Sequence, residues 1–286
     1  MSSSSQYIGI VRDVITSAGE EYLEGAKVSS KRLIPTPDKI PQRKNSWIKI
    51  DNVISVFVDM TGSTKLSATR HEKSTAEIYQ YFTGTIVKIF KAFDAAYIDV
   101  KGDGVFALFN YNVPHTALCA AITCKTFCEN EFSDKVKIKR RLTLGCHIGI
   151  DQKTVLVKRV GIEPRGSDDS HLRNEVWAGK PVNMSAKLAS LSESGKIVAS
   201  SRYLRNITNR KAKESCGCNN QGQSVPLWEE IDLEDDDNFD FSKAMVLKSY
   251  WCEKHGREYC EELILQEAAE ISESTVDVRD SLISKL

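Results

Sequence analysis

Apolar positions recur along the chain in two rhythms. Residues 53–60 (VISVFVDM) form a mostly apolar run that ends on Asp59 and leads directly into Thr61-Gly62-Ser63-Thr64. A run of this length bounded by turn residues reads as a buried strand. It continues a strand starting near Trp47 that is broken or bulged at the polar pair Asp51-Asn52. Behind Ser74-Thr75-Ala76-Glu77, the pattern of a capping box, Ile78, Phe82, Ile86, Ile89 and Phe93 follow helical spacing. That spacing predicts a helix of about 18–20 residues.

Residues 97–100 and 105–109 flank Lys101-Gly102-Asp103-Gly104, whose Asp-Gly pair predicts a hairpin. Pro114 opens a second helix, to about Glu131, over Leu118, Ala121, Ile122 and Phe127. Residues 139–149 alternate as a strand with a short partner at 154–157; 183–192 read as helix and 196–200 as a short strand. An acidic loop follows at 235–240, and 261–286 read as helix running into a charged tail. The order strand, helix, hairpin, helix, strand predicts an α+β fold, with helices on one face of a largely antiparallel sheet. Residues 1–45 read as polar lead-in and proline-bearing linker, 46–211 as the main domain, and 212–286 as a Cys/His-containing extension.

Composition narrows the class. The 286 residues are 41% hydrophobic, enough for one core and a smaller appendage. The 39 basic and 39 acidic residues cancel, which argues against a nucleic-acid footprint. No apolar run approaches the ~18 residues of a membrane span. The N-terminus lacks the charged and apolar regions of a signal peptide, so a cytoplasmic protein is expected. The eight cysteines are then thiols. Cys119, Cys124, Cys128 and Cys146 lie in apolar surroundings, as small core residues. Cys216, Cys218, Cys252 and Cys260, with His255, are either free thiols or donors to a structural zinc, because Cys-x-Cys and Cys-x2-His can close a tetrahedral site.

The candidate chemistry centres on Asp59 and Asp103. A strand ending in Asp beside an Asp-Gly turn can bring two carboxylates onto one divalent pair, the hard-oxygen arrangement that suits magnesium and triphosphate. Two such ions activate an attacking oxygen and stabilise a leaving one. Backbone N–H groups of 61–64 can hold phosphate. Asn183 and Lys187, four residues apart, share a helix face.

VISVFVDMTGSTKL, IDVKGDGVFALF, LGCHIGI and VWAGKPVNMSAKL, in that order, resemble the four signatures of class III nucleotide cyclases over residues 47–200. The resemblance implies a ferredoxin-like α+β fold that works as a head-to-tail homodimer. It implies that Asp59, Asp103 and the backbone carbonyl of Met60 hold two Mg2+ or Mn2+ ions, and that Thr61, Gly62, Ser63 and Thr64 hold the triphosphate. Ser63 stands where the family usually has an aromatic residue. Asn183 would position the ribose, and Lys187, in place of the family's arginine, would contact the α-phosphate. Both would reach the metal pair of the other subunit. Lysine keeps the charge but loses the planar fork. Arg159 lies where the family keeps a triphosphate-binding arginine.

Asp99 occupies the base-selecting position, which is lysine for adenine and glutamate for guanine in the family. A carboxylate accepts but cannot donate, which argues against adenine. Trp177, near the second selecting position, would narrow a purine pocket or stack on a smaller base, unless it is a core tryptophan. These departures, the WAGKPVN segment and the Cys/His-rich tail are similar to the bacterial pyrimidine cyclases of the Pycsar antiphage system. That implies conversion of CTP or UTP to cCMP or cUMP and pyrophosphate, the product activating a separate effector. An adenylate or guanylate cyclase with divergent base contacts, or a non-catalytic nucleotide-sensing module, are the alternatives.

Overall fold

The computed structural model describes residues 2–42, 45–63, 66, 71–161 and 173–283. In chain order the elements are α1 (Ser2–Leu23), β1 (Lys27–Lys31), β2 (Ser46–Met60), α2 (Glu72–Ala92), β3 (Tyr97–Lys101), β4 (Gly104–Phe109) and α3 (Pro114–Phe127). They continue with α4 (Ser133–Arg140), β5 (Cys146–Gly161), β6 (Arg173–Gly179), α5 (Lys180–Leu191), β7 (Ile197–Ser200), α6 (Ser201–Leu204), β8 (Trp228–Asp232), β9 (Lys243–Leu247) and α7 (Glu253–Ile283). The chain divides into two units, 1–51 with 154–179, and 52–153 with 180–286. The division falls elsewhere than at the boundaries near 45 and 211 that composition suggests.

In the larger unit the strands run in the order β3-β4-β2-β5-β7-β9-β8. The pairing is antiparallel except that β5 and β7 run parallel, Ile148 opposite Ile197. This is the expected α+β architecture. α2 buries Ile78, Phe82, Ile86 and Phe90, and α3 buries Leu118, Ala121 and Cys124. The fully buried Tyr203 donates from its hydroxyl to the Pro114 carbonyl at 2.7 Å.

Several sequence expectations shift. The Ser74 box does not start α2; the helix begins at Glu72, with His71 as its cap and no side-chain capping bond. The segment at 139–140 is helix, not strand. One π-helical turn, Cys128–Phe132, keeps Cys128, Phe132 and Val136 on the core side, and α4 runs to Arg140, where Arg141 at φ 55° stops it. The segments at 146–149 and 154–157 belong to one strand, β5. Its polar middle looks like a turn in sequence, but Asp151 meets Arg202, and Gln152 donates to the Asn52 carbonyl at 3.0 Å. Strands β8 and β9 carried no clear signal, and α7 begins before the expected residue 261.

In the smaller unit, the stretch 1–45 that was expected to be lead-in and linker carries regular elements. Residues 2–23 form a helix exposed along most of its length, and β1 pairs parallel with the first residues of β2, Lys27 opposite Ser46. In the same unit β6 pairs antiparallel with the far part of β5, Val157 opposite Trp177. The expected irregularity at Asp51-Asn52 is present as Asn52 at φ 56° within a continuous β2.

Candidate active site

Strand β2 delivers Asp59 to the turn end of the β3–β4 hairpin. Val58 lies opposite Val105, so the strand's next residue meets the turn. A Cβ added at Gly104 would lie 3.2 Å from Asp59 Oδ1 and 2.7 Å from Phe57 Cζ. A side chain there would press on both the carboxylate and the Phe57 ring. Burial, and next the charge of Asp103, push the Asp59 carboxyl above its usual range; His147 and the Met60 N–H act weakly the other way. Among the described residues neither carboxylate is ion-paired with a lysine or arginine. Two carboxylates near enough to repel and lacking a cation have the chemistry of a divalent-metal site. The Met60 side chain is buried in the core.

The residues after the strand are pinned to the start of β5. Thr61 donates from its N–H to the Gly145 carbonyl at 3.1 Å, and its Oγ1 accepts from the Gly145 N–H at 2.7 Å. Gly62 adopts φ 79°, and the Leu66 N–H donates to its carbonyl at 3.0 Å. Thr64 lies outside the described residues.

Asp99 faces the same side of β3 as Lys101, two residues on. Its Oδ1 accepts from the Val100 N–H at 2.8 Å, and its Oδ2 pairs with Lys101 Nζ at 2.9 Å. Asp99 and Lys101 therefore offer an acceptor and a donor together.

Helix α5 is held from beneath by a buried hydrogen bond between Ser55 and Ser185 hydroxyls, 2.8 Å apart. Gly149 lies so close under the Ser185 carbonyl and Ala189 N–H that no side chain fits there. Asn183 is exposed on this helix, whereas Lys187 donates from Nζ to the Asn238 carbonyl at 2.7 Å, in the β8–β9 loop. Among the described residues, no hydrogen bond or ion pair joins Asn183 or Lys187 to Asp59 or Asp103.

Two further candidates belong to the smaller unit. Trp177 is buried in β6. Arg159 is already engaged: Nη2 donates to Glu175 Oε1 and to the Pro37 carbonyl, both at 2.7 Å. The guanidinium is thus held by partners within its own unit. His147 stands in the apolar strand β5. It is half-buried, lies 3.2 Å from Ser192 Oγ through Nδ1, and acts electrostatically on Asp59. The alternation of Cys146, Ile148 and Ile150, all buried, places it on the opposite face of β5 and was the available signal.

Cys216, Cys218, Cys252 and His255 come together, their ligand atoms all within 4.8 Å of one another. Burial opposes ionisation of the Cys216 thiol, but N–H donors from Cys252 and Cys218 outweigh it and bring it down to about 7. Hydrogen bonding to Cys216 and then Cys252 raises Cys218 to about 11. Cys260, the fifth donor considered, is not in this group; its thiol meets Cys119.

The fold resembles those of solved nucleotide cyclases. The adenylyl cyclase CyaB from P. aeruginosa superposes with a TM-score of 0.56 at 15% identity, over 71% of this chain and 96% of that one. The guanylate cyclase domain of RhGC from Catenaria anguillulae, solved with GTP, gives 0.54 at 15% identity, over 70% and 98%. These likenesses show a nucleotide-cyclase fold. No family model matches the chain. It is 34% identical over 226 residues to the uridylate cyclase of Micromonospora echinofusca, covering 77% of this chain and 72% of that protein. With the uridylate cyclase of Propioniciclava tarda it shares 33% over 239 residues, 82% and 74% of the two. The chain belongs to this uridylate cyclase family.

Proposed function

We propose that the chain cyclises a pyrimidine nucleoside triphosphate, UTP before CTP, to the 3′,5′-cyclic nucleotide and pyrophosphate. The observation that carries the reading is the Asp59–Asp103 pair, closed by Gly104 and uncompensated by any lysine or arginine among the described residues. UTP is preferred because relatives at 33–34% identity are named uridylate cyclases. A relative at 25% identity is named a cytidylate cyclase.

Asp59, Asp103 and the Met60 carbonyl would hold two Mg2+ or Mn2+ ions. When bound, these ions supply charge to offset the triphosphate and lower the pKa of the attacking hydroxyl. The N–H groups at Gly62 and Ser63 orient the phosphates. Asp99 and Lys101 present an acceptor beside a donor, which complements the N3–H and a carbonyl of uracil. Asn183 and Lys187 of a second copy position the ribose and the α-phosphate, so that a head-to-tail homodimer has two complete sites. The substrate's 3′-oxygen bonds to the α-phosphorus, the bond from that phosphorus to the bridging oxygen breaks, and the hydroxyl proton leaves to solvent.

The product would serve in the cytoplasm as a messenger of antiphage defence, acting on a separate effector. The resemblance to Pycsar cyclases supports this role. Among the described residues no helix is long and apolar enough to cross a membrane. The test is incubation of the full chain with each of the four labelled nucleoside triphosphates and manganese, read by product mass. Cyclic UMP as the dominant product is expected, with cyclic CMP second. Cyclic AMP or GMP alone would overturn the pyrimidine assignment, and no cyclic product would overturn the enzyme.

A further inference from the structure

The Cys/His group lies outside the chemistry proposed above, and its geometry is that of a ligand set. His255 Nδ1 lies 3.2 Å from Cys218 Sγ and 3.2 Å from Cys252 Sγ. The Cys216 Sγ accepts from the Cys252 N–H at 3.2 Å, the bond that commonly supports a metal-bound thiolate. All four cysteines of the C-terminal region are free, so no disulfide accounts for the convergence. Zinc–sulfur bonds of about 2.3 Å in a tetrahedron set ligand atoms about 3.7 Å apart, well inside the observed cluster.

The backbone is shaped to present these atoms. Gly217, between Cys216 and Cys218, adopts φ 75°, and a Cβ there would lie 2.8 Å from the Gly222 carbonyl carbon. The loop closes through N–H bonds from Asn220 and Gly222 to the Gly217 carbonyl, at 2.9 and 3.0 Å. On the other side, Cys252 immediately precedes α7 and His255 lies in its first turn. Trp251 fixes that approach, its Nε1 donating to the carbonyls of Lys211 and Glu214 at 3.0 and 3.1 Å. The His255 ring stacks near Tyr259, with centroids 5.4 Å apart.

We infer that Cys216, Cys218, Cys252 and the Nδ1 of His255 bind one structural Zn2+ that staples the 216–222 loop to the start of α7. Three thiolates and one imidazole fill a tetrahedron, leaving no open position for catalysis. The staple acts on a helix that the core depends on, because Glu267, farther along α7, meets the first residues of α3.

The test measures metal content of the reduced, full-length protein by elemental analysis, together with cobalt substitution after chelation. One zinc per chain is expected, and cobalt should give thiolate charge-transfer bands with the intense visible bands of a tetrahedral site. Cys218→Ser, at an exposed position, should lose most of the zinc, and His255→Cys should retain it where His255→Ala does not. Cys260→Ser should bind as the parent does. Chelation should lower Tm in the parent and leave that of Cys218→Ser unmoved. Absence of zinc with an octahedral or absent cobalt spectrum would overturn the site, as would equal loss in Cys260→Ser. A disulfide among these cysteines in freshly purified protein would also overturn it. None of these readouts depends on cyclase activity, so this inference and the proposed reaction can fail separately.

Discussion

Gly104 closes the β3–β4 turn against the carboxylate of Asp59, with room for no more than a hydrogen between them: an added Cβ would stand 3.2 Å from Oδ1. Gly104→Ala therefore presses on one relationship, the placement of Asp59 beside Asp103. The closest clash is with the far end of the Phe57 ring, which can swing aside, so the protein should still fold. A displacement of the carboxylate by roughly a few tenths of an ångström is expected to lower kcat/KM by about 10-fold. Cyclase kinetics with manganese, beside a thermal melt, check this; an unchanged kcat/KM would show that the turn does not set the site.

Asp59 separates activity from stability. Its carboxyl is raised by burial and by Asp103, so the folded chain holds that proton more tightly than the unfolded chain does. The sign follows: stability falls as pH climbs from the usual carboxylate range through the raised value, and at pH 7 the charged form destabilises the metal-free protein. Asp59→Asn should raise the metal-free Tm while cutting cyclase turnover by several orders of magnitude. Calorimetry in chelator and a product assay measure the two effects; a lower Tm, or retained turnover, would contradict the assignment.

The elements surrounding this pair were legible because their cues are local. The 53–60 run, the Asp-Gly turn and the helical spacing of Ile78, Phe82 and Ile86 each became the expected element. What escaped were features set by distant partners. Asp151 and Gln152 look like turn residues until Arg202 and the Asn52 carbonyl satisfy them within a strand. Arg159 looks available until Glu175 takes it, and the four residues of the Cys/His group separate from Cys260 only when the chain folds. His147 carried a face, readable from alternation, but its neighbour Asp59 was not readable.

Glu267 is a buried carboxylate that caps another helix. Its oxygens accept from the N–H groups of His115 and Thr116 at 2.7 and 3.0 Å and from the Thr116 hydroxyl at 2.6 Å, at the start of α3. A negative charge at a helix N-terminus is favourable, and these donors have no water to turn to. Glu267→Ala is expected to cost about 2–4 kcal/mol, the loss of a cap plus stranded buried donors. Glu267→Gln should recover part of that, because one amide oxygen still accepts. Urea unfolding of both variants decides it, and an alanine variant within error of the parent would show that α7 is not anchored there.

Arg202 joins two acids of unequal exposure. It donates from Nε to the fully buried Asp151 at 2.7 Å, with a second bond from Nη2, and from Nη1 to both oxygens of Asp240 at 2.8 Å. Arg202→Leu leaves Asp151 as an unpaired buried charge and should cost about 3–5 kcal/mol. Asp240 gives the network its pH signature. Burial works against its charge, but Arg202 and then Lys180 outweigh that and hold the carboxyl down to about 2, below the ordinary 3.8. A depressed carboxyl stabilises the fold above its unfolded pKa and loses that contribution as pH falls through the folded one. Because solvent reaches one side of the group, Asp240→Asn should cost only about 1–2 kcal/mol at pH 7. That difference should hold flat down to about pH 5, shrink below pH 4 and vanish near pH 2. Denaturant unfolding of parent and variant across this range tests the relation, and a gap that widens on acidification would reverse its sign.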